Sequence, residues 1–398
     1  MPDAWLRPPK LRTAGSVDDD RHATWLELFF DLVFVAAIAE LAHGLRDQLT
    51  WMGVLEFVAL FVPVWWAWVG STFYATRFDT DDAEYRLLTA VEMFGVIALA
   101  VNVHGGLAET SRGFALAYVL VRSVLIFKYV RAQRHIPEAR ALTVRIRTGY
   151  TIAAGVWLVS AFVPPPYRFL LWGLGIAIDF GTPITAGRLH VEIPVDPTHI
   201  PERFGLFTII VLGETIVSVV TGISTQEWTV TSGLIAVFST AIAFSLWWIY
   251  FDNHDEAAIR AAREGKRIRA YWEWIYVHLP LVIGIAAAGV GVFRVFTGDL
   301  AAPLPMAERW LLAGSLAVCL SSLGFLHRTT VSCAGRRPTG GVQSLYRFGT
   351  AGVVLAIGVA GGRIPPLGFV ALLAFVCVAQ IGLDLRVREP PTAAAVSD

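Results

Sequence analysis

Stretches of about 20 mostly apolar residues, the length a helix needs to cross a bilayer, recur along this chain. Short loops that hold most of its Lys and Arg join them. Inside lipid, backbone N–H and C=O groups must pair within one helix or around a closed barrel. Barrel strands alternate apolar and polar residues over about ten positions, and the chain shows no such alternation. The expected fold class is therefore all-α, a polytopic membrane protein of about 12 transmembrane helices. Composition agrees, with 55% hydrophobic and 16% charged residues, against about 25% charged in an ordinary soluble domain.

The apolar pattern places spans near 25–44, 51–74, 86–105, 112–131, 148–164, 168–187, 204–223, 229–251, 271–296, 309–327, 346–363 and 366–384. Gly105-Gly106, Pro164-Pro165-Pro166 and Pro365-Pro366 supply breaks. Trp25, Trp51, Tyr74, Trp228, Tyr250 and Trp310 stand near span ends, where amphipathic rings suit the membrane interface. Residues 1–20 are polar and carry Asp18, Asp19 and Asp20. They contain no apolar core, so no cleavable signal is expected, and they form a cytoplasmic N-terminal segment. Residues 389–398 are expected to be a disordered tail.

Charge sets the orientation. The 131–147 loop carries Arg131, Arg134, Arg140, Arg145 and Arg147; the 252–270 loop carries Arg260, Arg263, Lys266, Arg267 and Arg269; the 327–347 loop carries Arg328, Arg336, Arg337 and Arg347. With an even number of spans these loops share a side with both termini. The positive-inside rule then puts the termini in the cytoplasm of a multi-pass protein of the cell membrane.

The halves are alike. Leu28-Phe29 matches Leu206-Phe207, Trp65-Trp66 matches Trp247-Trp248, Glu92 matches Glu273, and Asp179 matches Asp384. Residues 21–190 and 191–388 are expected to be two six-helix repeats, inserted in the same direction as a parallel 6+6 repeat.

Two segments are distinctive: Arg21-His22-Ala23-Thr24-Trp25-Leu26-Glu27-Leu28-Phe29-Phe30-Asp31-Leu32-Val33-Phe34-Val35, and Glu202-Arg203-Phe204-Gly205-Leu206-Phe207-Thr208-Ile209-Ile210-Val211-Leu212-Gly213-Glu214-Thr215-Ile216. Together they closely resemble the bacterial low temperature requirement A family, over about residues 20–385. The resemblance implies a polytopic membrane protein and names no substrate. Arg21 with Phe30-Asp31-Leu32-Val33-Phe34 also looks like the first-helix signature of a family of endosomal and bacterial potassium channels. Phe30 replaces that signature's Ser, and Ile209 stands where the second half would repeat Asp31.

Ionisable groups inside membrane helices are costly and mark candidate sites. Thr24-Trp25-Leu26-Glu27 fits a capping box, with Glu27 reaching back to the Thr24 amide. Asp31 lies one turn further on the same face, past any cap, and needs a cation such as Arg21 or another basic residue. Glu214 falls near the middle of the seventh span, with Ser218 at i+4. Glu40 is its counterpart in the first span. Glu214, Asp31, Glu40, Glu27 and Ser218 are the candidate ion or proton site. Supporting roles fall to Glu92 and Glu273 as structural acids and to His278, which precedes Pro280. Arg122 has Glu92 or Glu56 as partner. Asp179 and Asp384 are expected at solvated helix ends.

No phosphate-binding loop, His-Glu-x-x-His or serine elbow is present. Cys319, Cys333 and Cys377 have neither metal nor redox spacing. No catalytic residue, metal or cofactor is expected, and the chain is not expected to be an enzyme. A formal net charge of zero gives nucleic acid no purchase. The expected partners are the lipid bilayer and a small solute or ion, with homo-oligomer formation left open. The leading expectation is a proton-coupled secondary transporter or exchanger. A cation channel, or an intramembrane sensor or assembly protein without transport, stands as the alternative.

Overall fold

A computed structural model describes residues 7–12, 23–79, 81–187, 189–193, 195–252, 259, 268–334 and 339–387. Arg21, the Asp18–Asp20 run, Arg260, Arg263, Lys266, Arg267, Arg336, Arg337 and the 389–398 tail lie outside them, as does the Cys333 side chain.

Local chemistry starts the helices. Thr24, Thr50, Asp82 and Thr229 each accept a backbone N–H of the first turn with a side-chain oxygen, which satisfies donors that have no intrahelical partner. Among the described residues twelve long helices follow: α1 Trp25–Asp47, α2 Trp51–Ala75, α3 Ala83–Val101, α4 Ser111–His135, α5 Arg140–Ser160, α6 Tyr167–Ala186, α7 His199–Ser224, α8 Val230–Phe251, α9 Ile268–Thr297, α10 Met306–Ala334, α11 Thr339–Ala360 and α12 Pro366–Val387. Residues Lys10–Leu11 pair antiparallel with Phe78–Asp79.

Ten of these helices are long and apolar enough to cross a membrane, and the protein is a polytopic all-α membrane protein. The other two are α3 and α5. Glu84, Arg86 and Glu92 dilute α3, and Arg140, Arg145 and Arg147 dilute α5. Yet α3 exposes Leu87, Val91, Phe94, Ile97 and Val101, an apolar stripe at helical spacing, while Glu92 is fully buried. Several helices also begin or end outside the expected bounds. α5 starts at Arg140 rather than near 148, and α11 starts at Thr339 rather than near 346. Helical turns in water leave no hydropathy signal, so the expected spans were too short there.

The chain divides into two compact units. The first comprises Met1–Glu214 with Ile259–Trp272, the second Thr215–Ala258 with Glu273–Asp398. In the first, α3–α4, α4–α5 and α5–α6 pack in sequence, and α1 packs on α2 and α3. Its interior is aromatic: Trp65, Trp66, Trp68 and Trp157 are fully buried, and Trp66 stacks on Phe180 at 4.2 Å. In the second, α10 packs on α11, and α12 on α8 and α11.

Small residues let helices approach closely. A Cβ on Gly149 of α5 would fall 2.1 Å from Thr182 Oγ1 of α6, and one on Gly70 of α2 would fall 2.7 Å from Arg122 Nη1 of α4. The connection from α6 to α7 is pinned by a neutral imidazole. His190 Nε2–H donates to the Pro183 carbonyl at 3.1 Å, and Arg77 donates to Nδ1.

Candidate functional site

Two i, i+4 pairs face each other in the first unit. On α1 they are Glu27 and Asp31; on α7 they are His199 and Arg203. Residues four apart share a helix face, so the pairs form a ladder. Thr24 and Glu27 make the capping box: Thr24 N–H donates to Glu27 Oε2 at 2.9 Å, and Glu27 N–H to Thr24 Oγ1 at 3.3 Å. The same Oε2 lies 3.3 Å from His199 Nε2 and 3.3 Å from Arg203 Nη1. Cap and ion pair thus share one carboxylate.

Asp31 is fully buried. Its Oδ1 accepts from Arg203 Nη2 at 2.6 Å and from Trp68 Nε1 of α2 at 2.7 Å. Its Oδ2 has no hydrogen-bond partner among the described residues, and neither does Arg203 Nε. Trp68 is held in turn by Phe207, one turn beyond Arg203, whose ring stacks on it at 4.2 Å.

A strap from the N-terminal segment closes the outer end of the ladder. Arg12 Nη1 donates to His199 Nδ1 at 3.1 Å. A guanidinium only donates, so Nδ1 accepts, and Nε2 carries the proton that faces Glu27. The strap itself is tied down by Arg12 N–H to the Arg77 carbonyl at 2.9 Å, Arg7 N–H to Asp82 at 3.0 Å and Arg131 to the Arg7 carbonyl at 2.7 Å. Asp82 lies outside the long helices. Burial raises its carboxyl pKa, but the Tyr85 amide, Arg131 and the Arg7 amide outweigh this and hold it below the usual carboxylate range.

A second buried pair adjoins the ladder. Lys128 of α4 bonds Glu92 of α3 at 2.6 Å and Thr89 at 3.1 Å, and Ser71 of α2 donates to Glu92. Between ladder and pair lies a small cavity with room for about one water molecule, lined by Leu26, Glu27, Phe30, Ser71, Ala75, Tyr85, Thr89, Lys128 and Arg203.

Deeper in the same unit Arg122 finds its partner in Asp179, at 3.3 Å, and not in Glu92 or Glu56. Tyr118 OH donates to Asp179 Oδ2 at 2.6 Å and accepts from Arg122 Nε at 2.9 Å. Asp179 is fully buried, which corrects its expected place at a solvated end. α6 runs on for two turns beyond it to Ala186. Asp384 is corrected likewise: it is 4% exposed and takes Arg347 Nη2 at 2.7 Å. Glu56 accepts from the Leu107 amide at 3.2 Å.

Among the remaining expected residues, Glu214 is buried and bonds Arg46 of α1 at 2.7 Å. Arg46 sits in the last turn of α1, far along that helix from the Glu27–Asp31 turn. Glu40 is exposed and Ser218 buried, with Ser218 in the second unit beside Gly289. Glu273 is exposed. His278 is buried, with Nδ1–H donating to the Trp274 carbonyl at 2.7 Å and Nε2 lying 3.1 Å from Tyr250 OH. Within the first unit the structure thus joins Glu27 to Asp31, with Glu92 next to them, and pairs Glu214 with Arg46 instead, while Ser218, Glu273 and His278 belong to the second unit.

Reading the sequence for intramembrane acids missed their partners. Arg203 stood just outside the expected seventh span, and Lys128 near the end of the fourth. Both are cations within helical apolar runs, and an intramembrane cation is itself a signal. No group of three or more metal-ligating side chains occurs among the described residues.

The chain is 30% identical over 288 residues to a protein of Rhizobium meliloti (strain 1021) described as uncharacterized, an alignment covering 69% of each. No solved structure matches it. Residues 22–381 match the model of the bacterial low temperature requirement A protein, and the chain belongs to that family.

Proposed function

We propose that this protein is a proton-coupled secondary transporter or exchanger of the bacterial cytoplasmic membrane, with both termini in the cytoplasm, and that Asp31 is its proton-carrying group. One observation carries the reading: a fully buried carboxylate is shared between a guanidinium and an indole, and its second oxygen has no hydrogen-bond partner among the described residues. An ion pair this dry is stable only while both partners are charged. A proton arriving on Asp31 cancels its attraction for Arg203 and frees α1 from α7 at that rung. The pair is therefore a two-position element whose balance a proton tips, which is what coupling requires. The parallel 6+6 repeat suits this reading, since α1 and α7 open the two proposed copies. The loop cations support cytoplasmic termini by the positive-inside rule.

The channel reading fits less well. A cation passing Asp31 would meet the fixed charge of Arg203 at 2.6 Å from that carboxylate, and the buried Trp68 indole bonds the same oxygen.

The test uses purified full-length protein in liposomes that enclose a pH-sensitive dye. A pH gradient, applied with a panel of radiolabelled solutes, drives dye response and solute accumulation in wild type. Asp31→Asn reduces both at least tenfold while the protein remains monodisperse. Unchanged proton entry in Asp31→Asn sinks the reading.

A further inference from the structure

We infer that the ligand of this site is a small monocarboxylate, carried with one proton, and that Asp31 and Glu27 occupy its place on Arg203 in the present structure. The inference rests on the proton-coupled reading and adds the substrate class to it. A guanidinium presents a planar fork that matches a carboxylate through two parallel N–H···O bonds. Here the fork is filled only in part. Nη2 holds Asp31 at 2.6 Å, Nη1 has the 3.3 Å approach of Glu27, and Nε has no hydrogen-bond partner among the described residues. Arg203 is 1% exposed, so its Nε donor can be satisfied only from inside the site. The cavity it lines offers further donors, the hydroxyls of Thr89 and Tyr85, while Leu26 and Phe30 give an apolar wall for a short aliphatic stem. Thr89 already accepts from Lys128, which leaves its O–H free to donate.

Charge accounting sets the stoichiometry. Glu27 and Asp31 already share the one guanidinium, and a third carboxylate cannot join them without leaving a further buried negative charge unpaired. Protonating Asp31 removes that conflict, and the incoming carboxylate takes the vacated fork. One proton and one monoanion move together, so the transported charge is zero. A metal cation suits the site poorly, because Arg203 and Lys128 both border the cavity. The cavity has room for about one water while Glu27, which lines it, is seated on Arg203, as expected if the internal carboxylates hold the ligand's position.

The test uses the full-length protein with pyruvate as probe, and methylamine, urea and decanoate as comparisons. Pyruvate is expected to raise the melting temperature of wild type, and to do so more at pH 5.5 than at pH 8. Arg203→Lys, which keeps the charge but loses the fork, weakens pyruvate binding at least tenfold. Thr89→Val, which leaves the ladder intact, weakens it several-fold. In liposomes pyruvate accelerates proton entry over protein-free controls, and a potassium diffusion potential leaves that rate unchanged. If pyruvate neither stabilises the protein nor accelerates proton entry while Asp31-dependent proton entry persists, the carboxylate assignment falls and the proton-coupled reading stands. Stabilisation by decanoate but not pyruvate overturns the small-acid class, and a response to membrane potential overturns the one-to-one stoichiometry.

Discussion

Arg203 and Asp31 lie 172 positions apart in sequence and meet at 2.6 Å in a buried ion pair. Breaking such a pair from one side leaves an uncompensated buried charge, at about 3–5 kcal/mol. Asp31→Asn and Arg203→Gln are each expected to lower the melting temperature in detergent strongly, and the double variant to lose much less than their sum. Additive losses would mean that the two groups do not act as a pair.

Arg46 and Glu214 form a shallower pair, with side-chain exposures of 12% and 7%. Its rupture should fall between about 1 kcal/mol for an exposed pair and about 3 for a dry one. Glu214→Gln is therefore expected to destabilise the protein by about 2 kcal/mol, and less than Asp31→Asn does, when the two are unfolded side by side.

Gly149 admits Thr182 where a methyl group would overlap it, at 2.1 Å from Oγ1. Overpacking costs typically about 1–3 kcal/mol. Gly149→Ala should destabilise the protein by that order, and adding Thr182→Ala should restore only part of the loss, because the Thr182 Cβ would itself lie 2.8 Å from the added methyl. An undiminished defect in the double variant would place the cause elsewhere than at this α5–α6 contact.

His190 lies in the connection between α6 and α7, outside the spans. Burial, with Arg77 beside it, pushes its pKa well below the usual histidine value. The unfolded chain takes up a proton near pH 6.5 that the folded protein refuses. Stability is thus unaffected above about pH 6.5 and falls as the pH drops from there toward the lower folded value. His190→Gln should flatten this acid limb in melting curves between about pH 5 and 7, even if it lowers the plateau.

Asp82 works lower on the scale. Its depressed folded pKa means that its stabilisation is complete above the unfolded value near 3.9 and is lost as the pH falls through the folded one. Hydrogen exchange at the Arg12 amide, bonded to the Arg77 carbonyl, should stay slow at pH 5 and quicken below about pH 4, once corrected for intrinsic rates. Asp82→Ala should quicken it at neutral pH.

Architecture was legible because bilayer thickness and backbone chemistry leave few options, and positions such as Pro164 to Pro166 punctuate the chain. The ends were less so. Arg140, Arg145 and Arg147 looked like loop cations, yet all three belong to α5. The site was half legible. Glu27 and Asp31 stand out by spacing on one helix, but nothing local links them to Arg203, whose partner is set by packing. Asp179 failed for the same reason: its cation sits two helices earlier in the chain, at Arg122. Glu40 and Glu214 seemed equivalent by depth alone. Rotation about the helix axis separates an exposed acid from a buried one, and depth along the span does not report it.

From Pro63 to Ala75 every residue of α2 is buried. Helices with a lipid-facing side can slide against fluid acyl chains, but this stretch touches only protein. It is the axle of its unit. In the proposed release of Asp31 from Arg203, α1 is the freer partner, because its Trp25, Phe29 and Leu32 face outward. A probe on α1 is therefore expected to respond to Asp31→Asn, while one on this part of α2 stays silent.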